Sequence, residues 1–455
     1  MARDTQDATP IESRSELADY IAKGEKPAEA FRIGTEHEKF GFNLADNSPV
    51  PYDGPNGIRE VLTRMQSVTG WEPITERGNI IGLAGPDGSG AISVEPGGQF
   101  ELSGGLLETL HETCVEANTH LTQLRPIADD LGIGFLGIGV APTWTRADMP
   151  KMPKQRYDIM TAYMPKKGSH GLDMMYRTTT IQVNLDFKSE ADMVKKMRVG
   201  LALQPIATAL FANSPFLEGK PNGHRSFRAA VWHDVDPDRS GPMPFAFDDG
   251  FGYEAYVDYV MNVPMYFVKR GDTYIDATDT TFAQFWDGKF AKLPGERPNM
   301  GDWVNHLSTV FPEVRLKRFL EMRGADGGQW RRICALPALW VGLLYDDGVL
   351  DQAYTLATEL TADDRRALYL NVPREGFAAK AAGRTARDIA ADVVALASEG
   401  LKRRARMNGD NDERIFLGPL DDAVQTGRTP ADDLLAAYNG PWAGNIDKVF
   451  TANAF

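Results

Sequence analysis

Two glutamates in the first tenth of the chain have a spacing that could hold a divalent cation. The segment RIGTEHEKFGF contains Glu36 and Glu38 at positions i and i+2. On a β-strand both side chains point to the same face, where they repel each other unless a cation lies between them. Magnesium is the simplest such cation. An exposed edge strand with two solvated acids would show the same pattern, so this pair alone leaves both interpretations open.

Further polar residues sit on or beside other predicted strands. They are Glu95, Glu101, Glu321, Gln182 and Asn184. Several strands with one carboxylate-lined face suggest a sheet that curves around a polar, metal-holding cavity. Oxygen ligands of this kind suit Mg²⁺ or Mn²⁺ better than zinc. The alternative is a polar sheet face that is simply wetted by solvent.

The known glycine-rich phosphate motifs do not explain how phosphate would be bound. No G-x-x-x-x-G-K-[ST] occurs in the chain, which excludes a P-loop. A G-x-G-x-x-G string is present at Gly132, Gly134 and Gly137. It follows a helix and leads into a strand, whereas a dinucleotide site needs a strand followed by a helix, so we discount it.

Arginines are the alternative phosphate ligands. Arg323 stands beside Glu321, and Arg225 and Arg228 lie in a long Pro/Gly-rich segment. A guanidinium group matches the oxygens of phosphate and carboxylate in a bidentate manner. Each arginine taken singly could equally be an ordinary surface residue.

The elements that position these residues are mostly strands. Alternating polar and apolar residues predict strands in AFRIGTEHEKFGFN and YRTTTIQVNLDF, a hairpin meander from 78 to 103, and a last strand in VRLKRFLEMRGAD. Beyond Gly327 the pattern becomes almost wholly helical. We therefore predict an α+β catalytic unit at 1–326 and a helical C-terminal lobe at 327–455, with a soft boundary that would also allow one domain.

Composition excludes several classes of function. The 455 residues include 49 Lys and Arg against 63 Asp and Glu, a net charge of −14 that disfavours nucleic acid and anionic membranes as partners. No apolar run is long enough to span a bilayer, and the first 17 residues have no signal or transit character, so we expect a cytoplasmic protein. The same charge would repel ATP, so a nucleotide-using enzyme needs metal ions and placed arginines.

Five segments together resemble the glutamate–cysteine ligase family, in its plant and proteobacterial branch. They span residues 32–328 and read RIGTEHEKFGF, EPGGQFELSG, YRTTTIQVNLDF, ANSPFLEGKPNGHRSFRAAVWHDVDPDRSG and RFLEMRGADGG. The resemblance implies a mainly antiparallel, six-stranded curved sheet like that of glutamine synthetase and the guanidino kinases, surrounded by helices. It also implies the first step of glutathione biosynthesis, in which ATP activates the γ-carboxylate of glutamate and cysteine then accepts the γ-glutamyl group.

The resemblance assigns roles to individual positions. Glu36, Glu38, Glu95, Glu101 and Glu321 would ligate Mg²⁺, with Mn²⁺ as an alternative. Arg323 and Arg228 would act on the transferred phosphoryl group, and Arg225, Gln182 and Asn184 would join them in binding glutamate or ATP. A more distant branch has a histidine at the position of Gln182, which leaves a ligand role for Gln182 open.

The two cysteines and the choice of acceptor leave alternatives. Cys114 and Cys334 both lie in apolar helical stripes, so we favour two reduced core thiols, while the redox control known in plant members keeps a disulfide between them open. A related ligase that γ-glutamylates another amine would share the glutamate and ATP machinery. A non-catalytic relative of the fold is disfavoured because the acids and Arg323 occur together. We expect a monomer or a homodimer acting on small molecules.

Overall fold

The computed structural model describes residues 4–455, so the first three residues of the predicted unit 1–326 lie outside it. Its strands are β1 (Ile33–Asn43), β2 (Glu72–Glu76), β3 (Asn79–Ala84), β4 (Gly90–Val94), β5 (Phe100–Gly104), β6 (Ile133–Leu136), β7 (Thr180–Leu185), β8 (Phe216–Leu217), β9 (Lys220–Pro221), β10 (Ser240–Gly241), β11 (Phe267–Arg270), β12 (Thr273–Asp276), β13 (Phe311–Pro312), β14 (Val314–Leu316), β15 (Leu320–Asp326), β16 (Lys380–Ala381), β17 (Arg384–Thr385), β18 (Met407–Asn408) and β19 (Asn411–Asp412).

Helices separate and follow these strands. They are α1 (Ser15–Ala22), α2 (Ile58–Thr69), α3 (Leu110–Leu131), α4 (Gln155–Tyr163), α5 (Gly171–Arg177), α6 (Glu190–Leu210), α7 (Phe227–Trp232), α8 (Tyr253–Asn262), α9 (Phe282–Trp286), α10 (Met300–Leu307), α11 (Trp330–Leu344), α12 (Asp347–Glu359), α13 (Ala362–Glu375), α14 (Ala386–Arg404), α15 (Gly418–Thr426), α16 (Pro430–Asn439) and α17 (Lys448–Ala452). Among the residues described, no single helix is long and apolar enough to cross a membrane, and the one pair that passes on length and composition, α11 with α12, is bent by 94°.

One large antiparallel sheet carries the predicted polar residues. Its strands run in the order β14-β15-β7-β1-β5-β4-β3-β2, and β6 pairs with the far half of β1. The α+β class and the antiparallel sheet are therefore confirmed. The six strands that the resemblance implied are wrong, because the sheet has nine strands within residues 4–455. Three of the nine, β2, β6 and β14, are only three to five residues long.

The prediction of a single last strand is also corrected. VRLKRFLEMRGAD forms a hairpin in which β14 pairs with β15, and Lys317 N donates to the carbonyl of Phe319 in the turn between them. Polar and apolar residues alternate through both arms, so the pattern does not reveal where the chain reverses. As a result Arg315 on β14 lies directly opposite Glu321 on β15.

Strand register brings the polar residues into adjacent rows. Glu321 pairs with Asn184, Gln182 pairs with Glu36, and Glu38 pairs with Glu101. Directly opposed residues of an antiparallel pair share a face, so these side chains lie on one side of the sheet. Polar residues that alternate along each single strand therefore form one polar surface across several neighbouring strands.

The opposite side of the sheet faces a helical core. Val183 of β7, Leu203 of α6 and Leu336 of α11 belong to one buried hydrophobic cluster. The long helix α6 begins after Ser189, whose hydroxyl accepts a hydrogen bond from Asp192 N at 3.2 Å. Helices from both sides of residue 327 therefore contribute to the same core, and the division into two domains stays a prediction.

A disulfide joins α3 to α11. Cys114 and Cys334 are both buried, and their Cα atoms are 5.6 Å apart, within the range that a disulfide spans. The favoured prediction of two reduced thiols is therefore wrong for this structure. The two positions are 220 residues apart, and only the crossing of the two helices brings them together.

Candidate active site

Four of the five predicted metal-ligating glutamates line one cavity. This acidic cavity, of about 130 Å³, lies on the polar face of the sheet. Its lining includes Glu36, Glu38, Glu95, Glu101, Gln99, Gln182, Arg156, Tyr157, Arg228, Trp232, Phe311, Arg315 and Arg323. Carboxylates and guanidinium groups thus meet around a space of small-molecule size.

The two carboxylates of β1 are each held by one amide. Glu36 Oε1 accepts from Asn184 Nδ2 at 2.8 Å, and Glu38 Oε2 accepts from the backbone N of Thr180 at 3.0 Å. Burial, then the charges of Glu321 and Glu101, raise the pKa of Glu36. Burial, then Glu101 and Glu95, raise the pKa of Glu38 well above its ordinary value. Both carboxylates therefore lack sufficient positive charge from the protein itself.

The remaining cavity carboxylates are oriented by hydroxyl groups. Ser93 Oγ and Ser103 Oγ donate to the two oxygens of Glu101 at 2.6 and 2.9 Å. The Tyr157 hydroxyl lies 3.2 Å from Glu95 Oε1 and 3.0 Å from the carbonyl of Val94, so its single proton can go to either acceptor. The two serine hydrogen bonds fix the direction of the Glu101 carboxylate.

Glu321 has a different environment from the other four. Its side chain is fully buried and contacts three cations, with Arg315 Nη2 at 2.7 Å, Lys317 Nζ at 2.8 Å and Arg323 as a third ion-pair partner. Burial alone would raise the pKa of Glu321, but Arg315, Lys317 and Arg323 hold it well below its ordinary value. The geometry favours Glu321 as the counter-ion of these three cations. Its role as a magnesium ligand stays a prediction.

The structure brings two of the three predicted arginines together. Arg323 Nη1 donates to Gln182 Oε1 at 2.7 Å, and Arg228 Nη2 donates to the carbonyl of Arg323 at 3.0 Å. Arg228 is 3% exposed, and its Nε has no hydrogen-bond partner among the described residues. Arg225 is not part of the cavity, because its Nε is paired with Asp432 at 2.5 Å near the surface.

Several lining residues carried no recognisable motif. Arg156 is 15% exposed and pairs with Asp4 at 3.1 Å, and Trp232 and Phe311 contact each other with ring centroids 5.9 Å apart. They come from α4, α7 and β13, which are far apart in the chain. The one available signal was in VRLKRFLEMRG, where alternating basic residues precede Glu321 and include Arg315.

The arrangement fits a magnesium ion that is shared with a substrate. Within residues 4–455 no three His, Cys, Asp or Glu side chains are close enough together to hold a metal ion by themselves. Mg²⁺ is usually bound by one or two carboxylates together with waters and substrate phosphates. In addition, Asn184 Oδ1 beside Glu36 is a buried oxygen with no donor among the described residues, as expected next to a cation or its water.

Comparison with known proteins gives a family match over nearly the whole chain. The family described as Glutamate-cysteine ligase family 2 (GCS2) matches residues 32–452. The chloroplastic glutamate–cysteine ligase of Arabidopsis thaliana is 55% identical over 97% of this chain and 83% of its own length. That of Nicotiana tabacum is 53% identical over the same shares.

These relatives bear on location as well as on family. Both are chloroplastic by name, which contradicts the prediction of a cytoplasmic protein. That prediction rested on the lack of a long apolar run and of signal or transit character in the first 17 residues, and neither property identifies one aqueous compartment.

A solved structure shows the same fold at low identity. Glutamate–cysteine ligase from Francisella tularensis, in complex with AMP, superposes with a TM-score of 0.54 at 13% identity. The match covers 93% of this chain and 87% of that one.

Proposed function

This chain belongs to glutamate–cysteine ligase family 2, and we propose from that membership that it joins the γ-carboxylate of glutamate to the amine of cysteine with ATP hydrolysed to ADP and phosphate. The resemblance found in the five sequence segments is thereby confirmed. The observation that supports the chemistry at this site is the acidic cavity, in which carboxylates and arginines meet on one face of the sheet.

The reaction proceeds in two transfers. An oxygen of the glutamate γ-carboxylate attacks the terminal phosphorus of ATP, and the bond from that phosphorus to the ADP oxygen breaks. The amine of cysteine then attacks the acyl carbon of γ-glutamyl phosphate, phosphate leaves, and the amine proton is lost. Positioning and charge neutralisation are the main contributions that a protein can make to such transfers.

Arg323 and Arg228 supply positive charge to the transferred group. Gln182 and Glu321 hold the Arg323 guanidinium by hydrogen bonds and an ion pair. Arg228 lies beside it, and its Nε, which has no partner within residues 4–455, can donate to a phosphate or carboxylate oxygen. Because these donors are fixed before substrate arrives, little reorganisation is needed during transfer.

Glu36, Glu38, Glu95 and Glu101 would hold magnesium, which neutralises phosphate charge when it is bound. In the protein alone, burial raises the pKa of Glu36 and of Glu38, and so does repulsion from other carboxylates, Glu321 and Glu101 for Glu36 and Glu101 and Glu95 for Glu38. Asn184 and Thr180 keep these two carboxylates directed by donating to them. The cavity therefore combines a site that attracts cations with arginines that attract phosphate.

Phosphate release from ATP tests the proposal directly. With glutamate and Mg²⁺ present, release that depends on cysteine, together with γ-glutamylcysteine in the mass spectrum, is the expected result. Removal of Mg²⁺ with EDTA is expected to stop release, and Mg²⁺ or Mn²⁺ to restore it. Release that requires a different amine would refute cysteine as the acceptor, and no release with any amine would refute the ligase activity.

A further inference from the structure

A second pocket lies directly against the acidic cavity. This aromatic pocket, of about 410 Å³, is formed by α6, α7, β13, β15 and α13. Its lining includes Gln204, Trp232, His233, Phe311, Glu313 and Tyr369. Four residues, Arg228, Trp232, Phe311 and Arg323, line both spaces and form the wall between them. A ligand in the aromatic pocket would thus lie next to the arginines that face the transferred group.

The aromatic pocket contains polar groups that have no partner. Gln204 is 1% exposed, and neither its amide nitrogen nor its oxygen makes a hydrogen bond among the described residues. The indole nitrogen of Trp232 is also buried and has no partner in the part of the chain that the structure describes. Buried polar groups are almost always hydrogen-bonded in native proteins. Unpaired groups gathered in one pocket therefore indicate positions that a polar ligand fills.

Glu313 and Asp363 are the two carboxylates that line this pocket. Glu313 follows β13, and its backbone carbonyl accepts from Arg323 N at 3.3 Å. Its carboxylate has no hydrogen-bond or ion-pair partner within the described part of the chain, although Arg228 and Arg323 are near enough to attract it. A carboxylate that has no partner among the described residues is a binding partner for an ammonium group.

We propose that the aromatic pocket binds the acceptor amino acid, with Glu313 pairing with its ammonium group and the rings of Trp232 and Phe311 contacting its side chain. The inference rests on the proposed function and names the subsite of its second substrate. Aromatic rings suit a thiol, because polarisable sulfur packs well against them. Arg365 and Arg366, which also line the pocket, supply positive charge for the carboxylate of the same amino acid.

Replacement of Glu313 by glutamine tests the pairing. Glu313→Gln keeps the size of the side chain and removes its charge. We expect KM for cysteine to rise by about ten- to a hundredfold, because that is the loss of affinity that corresponds to one hydrogen bond to a charged group. KM for glutamate and KM for ATP should stay unchanged. The matched control is Asp363→Asn, which removes an exposed carboxylate from the lining of the same pocket and is expected to leave all three constants unchanged.

An analogue without the amine makes the test specific for charge. 3-Mercaptopropionate keeps the thiol and the carboxylate of cysteine but has no ammonium group. Its inhibition constant against cysteine is expected to be the same in the wild type and in Glu313→Gln, or lower in the variant. A purely structural disturbance of the pocket would weaken the analogue and cysteine alike.

The outcomes are distinct. An unchanged KM for cysteine in Glu313→Gln would overturn the inference, and so would equal rises for glutamate and ATP, which would mean that Glu313 acts through Arg228 and Arg323. Should Glu313→Gln fail to fold by thermal melting, Glu313→Asp is the second test, because it withdraws the carboxylate by one methylene group. KM for cysteine is then expected to rise while KM for glutamate and for ATP stays unchanged, and an unchanged KM for cysteine would again overturn the inference. If wild-type protein shows no cysteine-dependent phosphate release, the proposed function itself fails, independently of the Glu313 variants.

Discussion

Replacing Glu321 by glutamine tests how far the buried ion pairs around this residue stabilise the fold and how far they hold Arg323 in position. Glu321 is fully buried and is the shared counter-ion of Arg315, Lys317 and Arg323. Glutamine has nearly the same shape but no charge, so the variant leaves three poorly exposed cations without their anion. Glu321→Gln should therefore destabilise the protein and also release Arg323 from its fixed position.

The magnitude follows from the burial of the network. Removing one partner of a buried ion pair costs about 3–5 kcal/mol, because the other partner stays in a region of low polarity. The side chains of Arg315, Lys317 and Arg323 are 8%, 9% and 12% exposed, so water can solvate them only in part. We expect the free energy of unfolding to fall by about 3–5 kcal/mol at pH 7.

The pH dependence of the free energy of unfolding tests independently whether the charge of Glu321 stabilises the folded protein. Nearby cations hold the pKa of Glu321 below its ordinary 4.5 in the folded protein. The stabilisation from Glu321 is thus fully present above about pH 4.5 and is lost as the pH falls through the lower folded pKa. Urea unfolding of the wild type should show this acid limb, and unfolding of Glu321→Gln should lack it.

Glu413→Gln is the matched control. Glu413 is also fully buried and paired with an arginine, Arg404, but it lies near the start of α3, far from the acidic cavity. Its replacement should lower stability and leave KM for ATP unchanged, whereas Glu321→Gln should lower stability and raise KM for ATP. If Glu321→Gln unfolds at the same urea concentration as the wild type, the charge network described here does not stabilise the fold.

Three further changes have defined outcomes. Glu36→Gln should reduce cysteine-dependent phosphate release by more than about a hundredfold with no loss of thermal stability, and a fully active variant would contradict its assignment to magnesium. Burial raises the pKa of Glu116 to about 7, although Gly105 N donates to it at 2.8 Å. Glu116→Gln should therefore raise the free energy of unfolding above pH 7 by about 1–3 kcal/mol and remove a decline of stability between pH 4.5 and 7, which urea curves at several pH values will measure. Cys114→Ser should lower the free energy of unfolding by about 2–5 kcal/mol under non-reducing conditions, and equal stability of the two proteins would show that the bond to Cys334 does not contribute.

The parts of the site that lie on single strands could be predicted from the sequence. Glu36 and Glu38 share a face because side chains alternate along a strand, and this is a local property of β1. The same argument places Gln182 and Asn184 on one face of β7. The family resemblance then supplied the chemistry, since local pattern alone did not distinguish a metal site from a wet sheet face.

Other parts depend on contacts that no local pattern encodes. Glu321 was assigned to a metal. Its partner Arg315, however, lies on the preceding arm of a hairpin, and the alternation of polar and apolar residues does not reveal the turn of that hairpin. The family resemblance assigned Arg225 to a substrate, yet it pairs with Asp432, which is 207 positions away. The aromatic pocket requires α13 to pack against α7, and nothing in the sequence of either helix indicates that contact.

The strand order has a consequence for synthesis of the chain on the ribosome. β1 lies in the middle of the sheet, but one of its neighbours, β7, emerges almost 150 residues later, and β15 later still. At about 5–20 residues per second, roughly 15–60 s separate the appearance of Glu36 from that of Glu321. During this interval the nascent chain exposes an unpaired strand edge, which is prone to misassociation. We therefore expect chaperone dependence to end abruptly once the β14–β15 hairpin has cleared the exit tunnel.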